Sequence, residues 1–98
     1  MLPRFTLRDL NTLPSTIFGF HAKLPEISAV YICVSVDQQV LYVGQTQNLR
    51  ARLGSHHRKT ELEKLECAKV YYITCPTYVL KSLERFVIID LKPLLNRY

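Results

Sequence analysis

No apolar run in the sequence approaches the roughly 20 residues that a membrane-spanning helix needs. The opening stretch MLPRFTLRDL lacks the charged-then-apolar layout of a secretion signal, so a cytoplasmic protein with no membrane partner is expected. The three cysteines are odd in number and contain no CxxC pair. Cys33, Cys67 and Cys75 fall on or beside apolar segments and read as reduced, buried thiols. A zinc site would need more Cys or His at ligand spacing than the chain offers. Residues 1–28 carry no repeat or low-complexity tract. One local absence is informative: from Gln38 through Thr60 there is no Asp or Glu, while Arg50, Arg52, Arg58 and Lys59 all occur. Such a surface suits a phosphate backbone, although a solvated basic face would carry the same residues.

What is present is a chain of 98 residues, 48% apolar and 21% charged, which is the composition of one globular domain. The net charge of +5 makes an anionic partner reasonable without requiring one.

Residues 1–28 read as an N-terminal arm, extended and turn-rich, packed on the domain that follows. Thr6 is placed to cap a short turn running into Leu10, with Asp9 near its N-terminal end. His21 stands alone there and suits packing better than ligation. Ala29–Val36 and Val40–Val43 are strand-like runs rich in Val, Ile and Tyr, and Asp37-Gln38-Gln39 between them suits a hairpin. Gly44 ends the second run. A helix from about Asn48 would put Leu49, Arg52, Leu53 and His56 on one face. His56 and His57 would then diverge.

Thr60-Glu61-Leu62-Glu63 fits a capping box at the start of a short second helix, Glu61 to about Glu66. A third strand, Lys69 to Thr74, closes at Cys75-Pro76. The last helix, about Tyr78 to Leu91, places Leu80, Leu83, Val87, Ile88 and Leu91 on one face, with Pro93 just beyond it. The economical layout is α+β: a three-stranded antiparallel sheet of order 2-1-3, flanked by helices, over residues 29–98.

Several polar groups are poorly suited to an ordinary core. Glu84 shares the face defined by Leu80 and Ile88, where a carboxylate is costly unless it is paired, protonated or bound to a metal. A boundary residue reaching water would also fit. Arg52 and His56 flank apolar positions, which a helix edge alone could explain. Tyr31 and Tyr42 could be ordinary strand residues, since tyrosine is common there.

Their conjunction is more specific. Ala29-Val30-Tyr31, Tyr42-Val43-Gly44, Arg52, His56, Glu84 and Asn96 occur in the order and spacing of the GIY-YIG nuclease superfamily, which this sequence resembles. That group includes homing endonucleases, some restriction enzymes and the nuclease domain of the bacterial excision-repair incision subunit. Arg52 follows Tyr42 by ten residues and His56 follows it by fourteen, as in the family, and Asn96 comes twelve after Glu84. Two positions depart from the pattern. Ala29 replaces the first glycine, which should leave Tyr31 in place. Gln45 stands where many repair-type members carry lysine and cannot supply a fixed positive charge.

The resemblance implies a metal-dependent endonuclease hydrolysing DNA phosphodiester bonds; a single compact domain with few elements for reaching base edges makes it structure-selective or weakly sequence-specific. It implies one divalent ion, Mg²⁺ or Mn²⁺, held by Glu84 and water. Arg52 would neutralise phosphate charge. Tyr31 is the first candidate for general base, with Tyr42 orienting water or phosphate, and His56 could share or relay the proton. Gly44 and Asn96 would support the site, Asn96 by anchoring local geometry. Gln45, Arg50, Arg58 and Lys59 would contact the nucleic acid. The partner is DNA, and a second protein conferring specificity is a further candidate; dimerisation would place two sites on two strands. The alternatives are a non-catalytic nucleic-acid-binding module on the nuclease fold, favoured by Gln45, and a small interaction protein whose basic face meets an acidic partner.

Overall fold

The computed structural model describes residues 5–96. In chain order the elements are α1 (Leu7–Leu10), β1 (Ser15–Ile17), β2 (Ala29–Ser35), β3 (Val40–Thr46), α2 (Leu49–Gly54), α3 (Lys59–Lys64), β4 (Cys67–Thr74), a 3₁₀ turn (Thr77–Val79) and α4 (Leu80–Leu91). The fold is α+β, with an antiparallel sheet of order β1-β4-β2-β3. The three anticipated strands lie in the anticipated order. The sheet has four strands, not three, because the arm donates β1, pairing Ser15 with Tyr71, Thr16 with Val70 and Ile17 with Lys69. Without β1, one edge of β4 would leave its backbone groups unpaired. A three-residue strand is too short to show a periodic signal in sequence.

All seven residues of β2 are buried, so this strand is covered on both faces. Val30, Ile32 and Val34 join Val43, Leu80 and Val87 in one core, closed by α4 and by Leu10 of α1. Ala29, Tyr31 and Cys33 join Leu49 and Leu62 in the other, under α2 and α3. The alternation sends Tyr31 to the α2 side. At the hairpin, Gln38 adopts a left-handed φ of 69°, and the Ser35 amide donates to the Gln39 carbonyl at 2.9 Å.

The outer edge of β3 is also covered. After α4, Lys92 turns the chain with φ 49° and ψ 64°, ahead of Pro93. The Leu94 and Leu95 amides then donate to the carbonyls of Val40 and Leu41 at 3.1 and 2.8 Å. The Asn96 side chain continues this pairing on Val43, accepting from its amide at 2.8 Å and donating to its carbonyl at 2.9 Å.

Several local expectations are corrected. Gly44 does not end its strand: β3 runs on to Thr46, and Gly44 pairs with Tyr31. The first helix stops at Gly54, and Ser55 leaves helical geometry at φ −142°. His56 therefore lies in the α2–α3 linker instead of on a helix face. The Thr60 capping box does not form. Helix α3 begins at Lys59 after Arg58, and Glu61 is used in an ion pair with Arg58 at 3.1 Å. The last helix opens as a 3₁₀ turn before α4 begins at Leu80. At the N-terminus, Thr6 does cap α1, its amide and hydroxyl both donating to Asp9 Oδ2, at 2.8 and 3.1 Å. The three cysteines are free thiols, but only Cys33 is fully buried; Cys67 begins β4 and Cys75 follows it, so both are half-buried.

Candidate active site

Strand β3 carries side chains to both faces of the sheet, and the candidate site straddles it. Antiparallel partners share a face, so Tyr42 (opposite Cys33) and Gly44 (opposite Tyr31) look toward α2. Gln45, opposite Val30, looks toward α4. Around this end of β3 lies an open polar cleft of about 340 Å³, lined by Tyr42, Gln45, Thr46, Gln47, Arg52, Leu80 and Glu84. An apolar hollow of about 460 Å³ along Thr16, Ile17 and residues 19–23 shares no residue with it.

Tyr31 is fully buried and lies directly over Gly44. A Cβ on Gly44 would stand 2.9 Å from Tyr31 Cε1 and closer still to Cζ and the hydroxyl. Glycine is needed here for space, so that a tyrosine ring can cross bare backbone.

The Tyr31 hydroxyl meets His56 Nε2 at 2.7 Å. The other ring nitrogen, Nδ1, accepts the Arg58 backbone amide at 3.0 Å. A nitrogen that accepts cannot carry a proton, so neutral His56 holds its hydrogen on Nε2 and donates it to Tyr31. Burial, with His57, Arg52 and Arg58 adding positive charge around it, pushes the His56 pKa down to about 4. The ring is neutral at pH 7.

Burial pushes the Tyr31 phenol well above its usual range; Tyr42 and Cys33 add to the rise, and Arg52 opposes it. Tyr42 is raised as well, chiefly by burial and less by Glu84, with Arg58 and Arg52 pulling the other way. The rings form a compact group. The Tyr31 and Tyr42 centroids are 6.2 Å apart, and His56 stands edge-on to both, at 5.4 and 5.2 Å. His57, contrary to the helical expectation, stacks on His56 at 4.8 Å and 13°. The linker is not helical, so adjacent side chains are free to align.

Across the cleft, Glu84 Oε1 accepts from Gln45 Nε2 at 3.3 Å, a long hydrogen bond. Burial raises the Glu84 pKa, while the Gln45 amide and the Arg52 guanidinium lower it. Among the described residues no cation lies within ion-pair distance of this carboxylate.

The structure thus groups Tyr31, Tyr42, Arg52, His56 and Glu84, with Gly44 beneath Tyr31 and Asn96 bracing Val43 from outside. Gln45 belongs to the cleft itself. Arg58 lies inside the group, its guanidinium carbon 5.5 Å from the Tyr42 ring centroid. Lys59 is exposed at the start of α3, and Arg50 is turned toward the arm, donating from Nε to the Leu24 carbonyl at 2.7 Å. Thr46 and Gln47 also line the cleft without a mark of their own in the sequence, and His57, expected to point away from His56, stacks on it instead. Only the basic, acid-free run around them hinted at their position.

The GIY-YIG catalytic-domain profile matches residues 27–98. The chain belongs to the GIY-YIG family. It is also 33% identical over 76 residues to the UvrABC system protein C of Methanothermobacter thermautotrophicus. That alignment takes in 78% of this chain but spans only 13% of the length of that relative. A nuclease-type domain is what both similarities support.

In this GIY-YIG domain the donor set for a metal is sparse. Among the described residues no group of three or more His, Cys, Asp or Glu stands together. One carboxylate in an open polar cleft suits Mg²⁺ or Mn²⁺, which take oxygen ligands and, for Mg²⁺, keep several waters; it does not suit zinc. Glu84 would hold such an ion, with neutral oxygens of Gln45, Thr46 and Tyr42 in the same cleft. Among the described residues no helix is long and apolar enough to cross a membrane.

Proposed function

We propose that this chain is a divalent-metal-dependent endonuclease that hydrolyses DNA phosphodiester bonds, structure-selective or weakly specific for sequence. The observation that carries this reading is the buried Tyr31–His56 pair, with its proton order fixed by the Arg58 amide, set beside a cleft holding Arg52 and Glu84. Simple binding would not require a buried, oriented phenol.

Hydrolysis needs a base for the attacking water and positive charge around the phosphate. Tyr31 is the base in this scheme, acting as the phenolate after its own hydroxyl proton has passed to solvent water, and it returns to the phenol when it takes the proton of the attacking water. His56 is unsuited to that task, because Nε2 already carries a proton and Nδ1 is occupied. It serves as a donor, and its Nε2–H becomes a stronger hydrogen bond when the phenol turns into phenolate. The Arg52 guanidinium opposes the rise in the Tyr31 pKa and is shaped to clasp phosphate oxygens. Tyr42, under the charge of Arg58, orients the water or phosphate. A divalent ion, when bound at Glu84, supplies polarisation of the scissile phosphate and charge for the departing 3′ oxygen. Arg58 and Lys59 extend the basic surface for the DNA backbone, and Arg50 contributes from its more distant place. Asn96 holds β3, and with it Tyr42 and Gln45, in register.

The test is plasmid nicking in Mg²⁺ or Mn²⁺. Glu84→Gln, which keeps size and hydrogen bonding, should remove activity by a factor of about 10³ without changing the thermal midpoint. Wild-type nicking by that variant would reject the assigned site. A non-catalytic nucleic-acid-binding module is the second reading, favoured by the neutral Gln45 beside Glu84. Retained DNA binding with no cleavage on plasmid, branched and single-stranded substrates would establish it instead.

A further inference from the structure

The turn that opens α4 exposes an aromatic ring with no structural task. Tyr78 is 88% exposed, more than any other exposed large hydrophobic among the described residues; Phe20 follows at 67%. It lies in the 3₁₀ turn two residues before Leu80, which lines the cleft with Glu84 and Arg52. Lys81 follows three residues after Tyr78, and Arg85 four after that, a spacing that keeps Lys81 and Arg85 on one side of the helix. Both are exposed, and among the described residues neither forms an ion pair. The acids of α4 do not neutralise them. Glu84 faces the cleft, and Asp90 accepts the Phe5 amide at 2.7 Å.

An exposed ring two residues before the cleft-lining Leu80, followed along the helix by two exposed cations, matches what single-stranded nucleic acid requires. Bases stack on the ring, sequence-tolerantly, and the cations follow the backbone. We propose that Tyr78 is a base-stacking platform, with Lys81 and Arg85 as its phosphate contacts, for an unpaired nucleotide next to the cleft. This deepens the nuclease reading, on which it rests, to a substrate class: DNA with an unpaired or displaced base beside the cleavage point. Paired bases in a continuous duplex cannot offer their faces to the ring.

The chain has no tryptophan, so Tyr78→Trp creates a single fluorescent reporter at the platform. The experiment titrates that variant, carrying also Glu84→Gln and kept in EDTA, with a short oligothymidylate and with matched duplex. Saturable quenching by the single strand, several-fold weaker for duplex, is expected. Tyr78→Ala should weaken single-strand affinity about tenfold and Tyr78→Phe should restore it. Lys81→Ala with Arg85→Ala should lower the salt dependence by one to two ions. Absence of quenching, together with unchanged affinity of Tyr78→Ala, overturns the proposal. So does tryptophan emission that shifts with protein concentration alone, with dimers in sedimentation. That result would assign the outer face of α4, where Phe86 and Ile89 are 43% and 56% exposed, to self-association. Quenching by a protein whose Glu84-intact form never nicks DNA would uphold the platform and reject the nuclease. Nicking without quenching would do the reverse.

Discussion

The two sides of β3 at the candidate site are built to different tolerances. On the α2 side, Tyr31 is sealed beneath the linker, His56 meets it at 2.7 Å, and the Arg58 amide fixes the imidazole at 3.0 Å. On the α4 side, Glu84 is half-buried and its bond to Gln45 is 3.3 Å long. The first side is over-determined, with each group held by at least one neighbour that it would cost free energy to abandon. The second leaves its carboxylate adjustable. On the proposed roles, a proton acceptor gains from being pre-positioned, whereas a ligand for a hydrated ion gains from freedom to move.

That contrast can be broken experimentally, most severely at Tyr31. Tyr31→Phe keeps the ring over Gly44 and removes only the oxygen. Nicking should fall by a factor of about 10²–10⁴ with DNA affinity nearly unchanged. A wild-type rate would mean that the rigid side does not hold the base.

The second effect is on pH dependence. His56 has a folded pKa of about 4 against an ordinary 6.5, so between these values the unfolded chain binds a proton that the folded one does not. Stability therefore rises with pH across that window and is lost as pH falls from about 6.5 toward 4, by up to about 3 kcal/mol. Denaturant titrations at several pH values measure it, and His56→Gln should flatten the slope. An unchanged slope would show that another group governs it.

Gly44→Ala comes next. The added methyl must push the Tyr31 ring aside, at roughly 1–3 kcal/mol of stability. Thermal unfolding should report the loss, with nicking reduced in parallel; a fully stable, fully active variant would mean the ring has room to move. The smallest effect is expected on the loose side. Gln45→Ala should change stability by less than about 1 kcal/mol and Mg²⁺ affinity by only a few-fold, read by calorimetric titration. A larger shift would make Gln45 a fixed part of the ion site and erase the contrast.

Legibility followed the range of the interactions. The hairpin, the third strand and the apolar face of α4 were readable because periodicity reports burial directly. The site residues are readable as an ordered set, although the periodic pattern places His56 on a helix that ends at Gly54. What misled there was local. The α2 pattern continues past the point where Ser55 turns the chain, and nothing in the sequence marks Arg58 as the partner of the His56 ring. Gly44 was misread for a similar reason: a glycine after a strand run signals a stop, unless a side chain on the neighbouring strand needs the space. The pairing of β1 escaped notice because three residues carry too little pattern to be seen without their partner strand.

By itself the sequence determined the class of the domain, the relative order of strands β2, β3 and β4, and, through the family resemblance, the residues proposed for the site. The first two rest on periodicity and short connections, the last on an ordered set of residues that resembles the family's. Only the tertiary structure decided which nitrogen of His56 faces Tyr31, that Gly44 lies under a phenol, and that Glu84 meets Gln45 across the cleft. Those facts arise from contacts between residues far apart in the chain, whose partners no local pattern specifies.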